Sequence, residues 1–536
     1  MSTATSPSGS SKPTLVAVIG TTGVGKSQLG VELAKALETR TTSPRRGEVV
    51  NHDSMQCYRG LDVITNKATV EEMDGVPHHL MGFLDPGEEW GVNDFVSDAV
   101  DKINELKSRD VLPIAVGGTS YYLQNLVLPG QLVHDPLADA PPPVTTPSAT
   151  PKTLDDLCSF PSDLRQSIQT LPAEVLELFL VLPCLPQIST PDDFPPSFPL
   201  DLLPPRLRSP TTLTPAFFDL LQRVDPASAA RWHWRDVRKV RRGLDIVWEG
   251  RRWEDVLQEQ QSKPSEGARF RTLIFWLFAE SDSLNPRLDG RVDKMIERGL
   301  LSEINELWHI ANAPGAEPTN FSKGIFQAIG YKEFDPYLTL RARDPSLTLD
   351  TSPELRKLFD QGVESMKAST RQYAKRQVKW IKSKLLPAVR RLENQEEVTV
   401  VLLDASDLAR WNETARDPAV ELLNKFLDGQ PLPDPSTLSP TAATHLAVPD
   451  SPSPTAHTKR LCPTCSARHP DKPVMIEERQ WEAHRGTRTH RIGAQKVREK
   501  EAREARRAEE AAATVQSGSG ERADAGAQEK PEADEQ

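Results

Sequence analysis

The chain has 536 residues, of which 37% are hydrophobic, which is enough for two or three domains with at least one sizeable core. A formal net charge of −11 argues against a surface that binds nucleic acid uniformly, so any such site must be local. Five cysteines are too few and too scattered for a disulfide framework, which points to a reducing compartment. No apolar run approaches the roughly 20 residues needed to span a bilayer, and the N-terminus lacks the apolar stretch of a secretory signal.

Five strands are predicted from short apolar runs, and helical stretches separate them. The first three lie at residues 14–20, 48–52 and 112–117, and the other two lie in the segments 271–280 and 398–407. Strands that alternate with helices are typical of an α/β fold with a parallel sheet and helices on both faces. The long gap before the fourth strand predicts that a mainly helical insertion interrupts the sheet.

A glycine-rich motif follows the first predicted strand. The pattern G-x-x-x-x-G-K-[ST] runs from Gly20 to Ser27, and an amphipathic helix is predicted after it. Glycines at 20, 23 and 25 let the backbone take positive φ angles, and their N–H groups form an anion nest with the helix N-terminus. Lys26 is expected to reach the terminal phosphates, and Ser27 is expected to coordinate Mg²⁺. The motif predicts phosphate binding, but nucleotide hydrolysis does not follow from it.

Asp53 follows the second predicted strand, in the segment NHDSMQCY. Ligands of an open α/β sheet bind at the carboxyl ends of its strands, so Asp53 is expected to face the phosphate loop. From the residues alone three roles are open: a Mg²⁺ ligand, a base, or a helix cap, which is the commonest role of an Asp that precedes Ser. The third strand ends in Gly117 and Gly118, which predicts a close backbone approach, and Thr119 adds a hydroxyl at the same edge.

Two other functions stay open at this point. The third strand does not end in an acid, as it would in many P-loop nucleotidases, but the strand VTVVLLD ends at Asp404. A P-loop kinase or nucleoside triphosphatase that acts on RNA or a small molecule is therefore one alternative. A non-catalytic RNA-binding adaptor is the other, although it does not explain Asp53, Thr119 and the intact loop together.

A basic helix is predicted over residues 367–391, which contain nine Lys or Arg and no acid. Arg371, Lys375, Lys379 and Lys382 share one face of this helix. The apolar residues among them are Tyr373, Val378, Ile381 and Leu385. Such a stripe suits an RNA phosphate backbone, with binding that weakens steeply as salt rises.

The motif Cys462-x2-Cys465-x18-His484-x5-His490 supplies two thiolates and two imidazoles. This set can close a tetrahedral structural Zn²⁺ site, and His469 is the main competing ligand. The spacing between the second Cys and the first His exceeds the roughly 12 residues of a DNA-reading finger.

Composition suggests the domain boundaries. Residues 129–216 contain 19 prolines, a density that no regular sheet tolerates, and we expect a partly disordered segment that keeps one helix in LPAEVLELFLVL. The predicted organisation is a disordered N-terminus at 1–12, a P-loop core at 13–130 and 266–430, an insertion at 131–265 (Pro-rich at 131–217, helical at 218–265), a linker at 431–457, a C2H2-type zinc finger at 458–495 and a charged, largely disordered tail at 496–536.

Seven blocks carry a family resemblance. They are GTTGVGKSQL, NHDSMQCYRGLDVITNK, GVPHHLMGFLDP, LPIAVGGTSYYLQNL, RLDGRVDKMIERGL, IGYKEF and RQYAKRQVKWIK, in this order. Together they resemble tRNA dimethylallyltransferases (tRNA isopentenyltransferases), in the eukaryotic form that has a C-terminal zinc finger. The resemblance covers about residues 13–130 and 218–430 and the finger. HWRD at 233–236 replaces the more usual HPND.

The resemblance implies transfer of a dimethylallyl group from dimethylallyl diphosphate to N6 of adenosine 37 in tRNA, with release of diphosphate. It implies Asp53 as general base, and Thr22 and Arg291 as further catalytic residues at the leaving diphosphate. Without the family, Arg291 would be one charge on an amphipathic helix. The residues implied to hold the diphosphate are Gly20, Thr21, Thr22, Gly23, Val24, Gly25, Lys26 and Ser27, with Mg²⁺ at Ser27.

The tRNA anticodon stem-loop is the implied macromolecular partner, and a monomer without a membrane partner is expected. The insertion residues 218–265 would face the tRNA, and structural Zn²⁺ would bind the finger. The residues implied to contact tRNA are Asp53, Ser54, Met55, Gln56, Gly117, Gly118, Thr119, Arg238, Arg242, Arg371, Gln372, Lys375, Arg376 and Gln377. The family works in the cytosol, in mitochondria and sometimes in the nucleus, and the N-terminus does not decide among them.

Overall fold

A computed structural model describes residues 12–130, 153–185, 199–262, 267–313, 321, 324–447, 459–466, 474–488, 490–496, 498 and 503. The strands are β1 (Thr14–Gly20), β2 (Gly47–Asn51), β3 (His78–His79), β4 (Leu112–Val116), β5 (Arg271–Phe278), β6 (Val398–Asp404), β7 (Lys459–Leu461) and β8 (Met475–Glu477). The first helices are α1 (Lys26–Leu37), α2 (Val70–Met73), α3 (Val92–Ser108), α4 (Ser120–Val127), α5 (Ser162–Gln169), α6 (Ala173–Val181), α7 (Pro210–Val224), α8 (Pro226–Arg231), α9 (Val237–Trp248) and α10 (Trp253–Ser262). The others are α11 (Ser281–Glu297), α12 (Leu300–Ala311), α13 (Asp335–Arg343), α14 (Pro353–Trp380), α15 (Leu386–Arg390), α16 (Asp417–Leu427), α17 (Pro440–Leu446), α18 (Pro463–Ser466) and α19 (Trp481–Arg485).

The described residues fall into two compact units. The first unit comprises residues 1–148 and 255–452, and the second comprises residues 149–254 and 453–536. No helix in the described ranges combines the length and the apolar character needed to cross a bilayer.

The first unit is built on a six-stranded sheet in the order β3-β2-β4-β1-β5-β6. All neighbouring pairs are parallel, and β1 lies between β4 and β5, where Val16 is paired with Ile114 on one side and Leu273 on the other. A parallel neighbour requires a crossover connection, which the helices between the strands provide. The predicted parallel sheet is confirmed.

Helices cover both faces of this sheet. Alternate side chains of β1 point to opposite faces, so Leu15, Ala17 and Ile19 belong to one buried core and Val16 and Val18 to the other. Apolar residues of α3 and α4 complete the first core, and those of α1 and α16 complete the second. The prediction of helices on both faces is confirmed.

The segment expected as a linker, residues 431–457, contains α17 at Pro440–Leu446. Ala442 is fully buried in the core of the sheet, and the Thr441 hydroxyl donates to Asp404 Oδ2 at 2.7 Å. Residues 440–446 therefore pack as part of the first unit. Prolines and small residues obscured this helix, since Pro440 occupies its first turn, where the missing N–H costs nothing. Residues 431–439 of the expected linker are also described and contain a 3-10 turn at Pro435–Thr437, whereas residues 448–457 lie outside the described residues.

The second unit contains the described part of the proline-rich insertion. The sequence predicts one helix in residues 129–216, whereas the structure forms α5, α6 and the beginning of α7 there, so that prediction was wrong. Pro161, Pro172 and Pro210 precede or begin these helices, a position where proline is well tolerated, and Pro215 lies inside α7. The helices share a buried apolar core that includes Leu164, Phe179, Phe217, Leu221 and Leu244. The expectations of disorder at residues 1–11, 131–152, 186–198 and most of the tail lie outside the described residues.

Candidate functional site

A cavity of about 760 Å³ opens in the first unit at the carboxyl ends of β1, β2 and β4. The loop that follows β1 lines it on one side, and the segment that begins at Asp53 lines it on another. Helices α11 and α14 contribute Arg291 and Tyr373 to its wall. The carboxyl ends of the strands therefore meet at one site, as the sequence predicts.

The loop after β1 has the geometry of an anion nest. Gly20, Gly23 and Gly25 have φ angles of 145°, 78° and 95°, which confirms the predicted positive values. Gly25 caps α1 without a side-chain hydrogen bond, and the backbone N–H groups of residues 23–27 have no acceptor within the described ranges. Val24 is buried in the core and offers only its backbone. This arrangement can bind phosphate oxygens without a change in the backbone.

Lys26 supplies a positive charge at this loop. Its Nζ donates to the Thr21 carbonyl at 2.7 Å, which holds the side chain across the nest. Burial lowers the pKa of Lys26 to about 8, while the nearby Asp53 carboxylate acts in the opposite direction and the Arg291 guanidinium lowers the pKa further. A polyanion bound at the loop would supply negative charge that stabilises the protonated form of Lys26.

Thr22 is held by two distant parts of the chain. Arg291 Nη1 donates to the Thr22 hydroxyl at 2.7 Å, and the Thr22 N–H donates to Gln377 Oε1 at 2.9 Å. Gln377 Nε2 in turn donates to the Gly118 carbonyl at 2.9 Å. Burial lowers the pKa of Arg291 to about 10, against the effect of Asp53, so the guanidinium remains charged at neutral pH. Gln377 is buried and uses both ends of its amide to tie the phosphate loop to the segment after β4.

Asp53 is held in a tight turn at the end of β2. Its N–H donates to Asn51 Oδ1 at 2.9 Å, and its Oδ1 accepts the N–H of Met55 at 3.0 Å. The Thr119 hydroxyl accepts the N–H of Ser54 at 3.1 Å and donates to the Ser54 hydroxyl at 3.2 Å. Asp53 thus makes the local turn bond expected of a cap and still lines the cavity.

Gly117 and Gly118 pass close to this turn. A side chain at Gly117 would lie 2.6 Å from the carbonyl carbon of His52, and one at Gly118 would lie 3.0 Å from Asp53 Oδ2 and 2.7 Å from Gln377 Nε2. The close approach predicted at both glycines is confirmed. His52 is fully buried here, and burial together with Lys26 lowers its pKa to about 4, so its ring is neutral.

Gln56 lines the cavity, but its amide is partly engaged. Gln56 Nε2 donates to the carbonyls of Asn66 at 2.9 Å and Thr65 at 3.3 Å, which closes the segment after Asp53 into a compact loop. Met55 also lines the cavity and packs against a neighbouring apolar cluster. The sequence indicated neither the loop closure nor the apolar wall formed with Met55.

The cavity has an apolar wall that sequence reasoning missed. Its members are Ile64, Leu288, Val292, Met295, Ile329 and Met366. Tyr373 was expected only as an apolar contact on a basic helix, but it lines the cavity, and burial followed by the Asp53 carboxylate raises its pKa well above the usual range. Apolar residues at helical spacing give the same sequence signal whether they line a cavity or fill a core, so only tertiary structure separates the two.

The basic helix is continuous from α14 through a π-helical turn at Ile381–Leu385 into α15. Arg371 forms a salt bridge with Asp289, while Gln372 and Lys375 are exposed. Arg376 lines the cavity, 5.9 Å from the ring centre of Tyr373. Part of the predicted stripe is therefore neutralised within the protein, and the remainder faces solvent.

The four predicted zinc ligands converge in the second unit. The ligand atoms of Cys462, Cys465, His484 and His490 all lie within 4.8 Å of one another. His490 Nδ1 is 3.4 and 3.6 Å from the two sulfurs and 3.2 Å from His484 Nε2, and Cys465 Sγ is 3.5 Å from His484 Nε2. A tetrahedral Zn²⁺ has ligand edges of about 3.5 Å between sulfur and nitrogen and about 3.3 Å between two nitrogens. The residues fit a zinc ion, and His469 lies outside the described residues.

The Cys/His cluster is anchored to the helical insertion. The hairpin of β7 and β8 carries it, and the Cys462 N–H donates to the Val474 carbonyl at 2.8 Å. Met475 of β8 packs against the apolar core of the insertion. The remaining predicted tRNA contacts, Arg238 and Arg242, lie on α9 of this second unit and are not among the cavity residues.

The sequence profile of the family described as IPP transferase matches residues 56–156 and 204–384. The chain belongs to the IPP transferase family. Relatives named tRNA dimethylallyltransferase are similar to it over most of their length. The one from Schizosaccharomyces pombe is 34% identical and the alignment covers 92% of this chain and 97% of that protein, while the one from Saccharomyces cerevisiae is 30% identical with coverages of 89% and 91%.

A solved structure is also similar to this chain. It is a crystal structure of a eukaryotic dimethylallyltransferase acting on tRNA, which shares 29% identity with this chain and superposes with a TM-score of 0.63, covering 92% of this chain and 99% of that one.

Proposed function

We propose that the protein transfers a dimethylallyl group from dimethylallyl diphosphate to N6 of adenosine 37, beside the anticodon of a tRNA. The observation that carries the proposal is one cavity in which a phosphate-binding loop and the Asp53 carboxylate face an apolar wall. A prenyl diphosphate needs both an anion site and an apolar surface. The family membership and the tRNA dimethylallyltransferase relatives support the same reaction.

The reaction needs a base and a stabilised leaving group. The N6 lone pair is delocalised into the adenine ring, so the amine must lose a proton as it forms a bond to the allylic carbon. Asp53 accepts that proton. The bond from this carbon to the diphosphate oxygen breaks, and the leaving diphosphate takes the electron pair. Lys26, Arg291, Thr22 and the loop N–H groups stabilise its developing charge.

A divalent cation fits the same loop. The Ser27 hydroxyl lines the cavity and has no hydrogen-bond partner within the described ranges. An oxygen ligand next to a diphosphate suits Mg²⁺, which binds such sites through few protein ligands. When bound, Mg²⁺ would neutralise charge on the leaving group.

The adenosine must leave its stack to enter the cavity, as bases do in other base-modifying enzymes. On the Asp53 side, the residues expected to contact the tRNA are Ser54, Met55, Gln56, Gly117, Gly118 and Thr119. Exposed Gln372 and Lys375, and Arg376 at the cavity, would contact the RNA from α14, and Arg238 and Arg242 from α9. Gln377 supports these contacts by holding the two loops together.

Transfer of label tests the proposal directly. The full-length protein is incubated with unmodified tRNA, labelled dimethylallyl diphosphate and Mg²⁺, without ATP. Label is expected in the RNA, and a tRNA with guanosine at position 37 is the matched control that should stay unlabelled. Absence of transfer together with tRNA-stimulated ATP hydrolysis would favour the P-loop nucleotidase instead.

The structure gives that alternative little support. The Asp404 carboxylate accepts hydrogen bonds from the Ser406 N–H at 2.9 Å and the Thr441 hydroxyl at 2.7 Å. It ends the edge strand β6, two strands from β1, and is not among the cavity residues. Asp404 is therefore engaged in holding α17 and is not placed to serve the phosphate loop.

The lowered pKa of Lys26 predicts a pH dependence for the donor. In the enzyme without bound donor, Lys26 has a pKa of about 8, so its side chain is charged below pH 8 and loses its charge above it. With dimethylallyl diphosphate varied and tRNA saturating, kcat/KM is expected to be flat near pH 7 and to fall about tenfold per unit well above the pKa. Lys26→Arg should move this fall to higher pH. A flat profile up to pH 9.5 in the unaltered enzyme would contradict the assignment.

We infer that the Cys/His cluster holds one structural Zn²⁺. The four ligand distances and the docking of Met475 on the insertion support this inference. Cys462→Ser should lower the zinc content, measured by elemental mass spectrometry, from one equivalent to nearly none and should loosen the finger, because such sites fold only with metal. Cys158→Ser, which changes an exposed cysteine of the same unit, should leave one equivalent. A zinc-free unaltered protein that is fully active would contradict a structural zinc.

A further inference from the structure

Two aromatic side chains meet at the surface of the first unit, outside the cavity lining. Tyr121 lies in the first turn of α4, and 39% of its surface is exposed. Its ring meets that of Trp380 edge to face, with 5.4 Å between the ring centres and 76° between the planes. Trp380 is half-buried, and its indole N–H donates to Gln124 Oε1 at 3.2 Å. The indole is therefore fixed and supports an exposed tyrosine ring.

Both residues belong to elements that lead directly to the active-site cavity. Thr119, two residues before Tyr121, caps α4 and binds the Ser54 turn beside Asp53. On α14, Tyr373 lines the cavity, and Trp380 lies seven residues further on the same helix face. At a rise of 1.5 Å per residue, this spacing is about 10 Å along the helix. One or two extended nucleotides span such a distance.

The helix that carries Trp380 presents unpaired positive charge. Lys375, Lys379 and Lys384 are exposed, and within the described ranges none of them forms an ion pair. Earlier on the same helix, Lys367 and Arg371 are paired with acids of α11. The charge that is left free therefore lies in the part of the helix nearest Trp380. An exposed aromatic ring beside free lysines suits a single-stranded nucleic acid, whose bases stack while its phosphates bind the cations.

We propose that Tyr121, supported by Trp380, is a stacking site for an unpaired base that flanks the adenosine in the cavity. The inference rests on the proposed function, because it requires RNA at the cavity. A base that leaves its stack also leaves its neighbour with one uncovered face. The Tyr121 ring covers that face and compensates part of the unstacking cost. Tyr121 is thus a positioning residue that contacts RNA but not the reacting atoms.

Binding of an unmodified anticodon stem-loop RNA tests the site. Tyr121→Ala should weaken this binding by about 5- to 150-fold, the range that corresponds to loss of one base–aromatic stack. Tyr121→Phe should bind as the unaltered protein does, because the ring and not the hydroxyl stacks. With RNA saturating, kcat should change less than about twofold, so the loss lies in KM. Leu408→Ala removes a side chain that is 52% exposed elsewhere in the same unit and should have no effect.

A double-mutant cycle, which combines a protein variant with an altered RNA, identifies the base that stacks on Tyr121. Two further RNAs carry an abasic residue on the 5′ or the 3′ side of the reactive adenosine. One of them should bind the unaltered protein as weakly as intact RNA binds Tyr121→Ala, and combining both changes should give no further loss. Full additivity for both abasic RNAs, or equal losses for Tyr121→Phe and Tyr121→Ala, would overturn the proposal. Label transfer by the unaltered protein is scored separately, so a failure of the proposed function is seen independently of stacking.

Discussion

Asp53→Asn is expected to reduce transfer of the dimethylallyl group by about 10²- to 10⁴-fold, the usual contribution of a positioned base. The amide keeps an oxygen that can accept the Met55 N–H, a bond observed at 3.0 Å, so the turn should survive. It cannot take a proton from N6 at neutral pH. The loss should therefore appear in kcat, measured by single-turnover transfer of labelled donor, while the Kd for tRNA changes less than about twofold.

The Asp53→Asn variant also separates the three roles that the sequence left open for this carboxylate. If Asp53 were a Mg²⁺ ligand, the variant would need much more Mg²⁺ for half-maximal activity and would recover at high Mg²⁺. If it were only a cap, transfer would persist and stability would fall. Asp85→Asn is the matched control, because that carboxylate is exposed and pairs with Arg59 at 2.7 Å. An active Asp53→Asn enzyme would remove Asp53 from the role of base.

Local signals in the sequence were enough for the parts of the site that lie on one loop. Gly20, Gly23 and Gly25 have the predicted positive φ angles because a nest is built from consecutive residues. The strand–loop–helix context also placed Asp53 and Gly118 at the correct edge, since parallel strands end on the same side. The sheet itself followed from the alternation of apolar strands and helices.

Long-range contacts could not be predicted from composition or spacing. Arg291 bonds Thr22 across 269 positions of sequence, and Gln377 bonds it across 355. Nothing in the neighbourhood of either residue distinguishes it from other polar residues on an amphipathic helix, so only the family resemblance singled them out. The resemblance indicated Gln377 as a tRNA contact, whereas its buried amide joins two loops of the protein.

The high proline content of the insertion led to a prediction of too little regular structure. A count of prolines predicts broken structure, yet the position of each proline decides its effect. Pro172 and Pro210 stand where a helix begins, so they favour the starts of α6 and α7. The apolar faces that follow them then pack into a common core, as Phe179 and Phe217 show. Burial of these faces, which composition does not report, is what makes the insertion fold.

Arg291→Gln is expected to lower kcat by about 10²- to 10³-fold, as loss of one donor to a developing anion does in other enzymes. Burial has lowered the pKa of this guanidinium to about 10, yet it is still charged at neutral pH. Its bond to the Thr22 hydroxyl orients that charge toward the phosphate loop. The effect should fall on kcat more than on the donor KM, because charge on the leaving oxygen increases as the bond breaks. Arg298→Gln, at an exposed arginine after the same helix, is the matched control.

The hydrogen bond between Arg291 and the Thr22 hydroxyl allows a further test of the role of Arg291. Thr22→Val removes the hydroxyl, and Thr22→Ser keeps it, so only the first should lose activity. If the two residues act as a unit, Arg291→Gln combined with Thr22→Val should lose less than the product of the single losses. Independent losses would mean that Arg291 acts without orientation by Thr22. A rise in donor KM at constant kcat would instead mean that Arg291 binds the diphosphate equally before and during bond cleavage, which would assign it to substrate binding and not to catalysis.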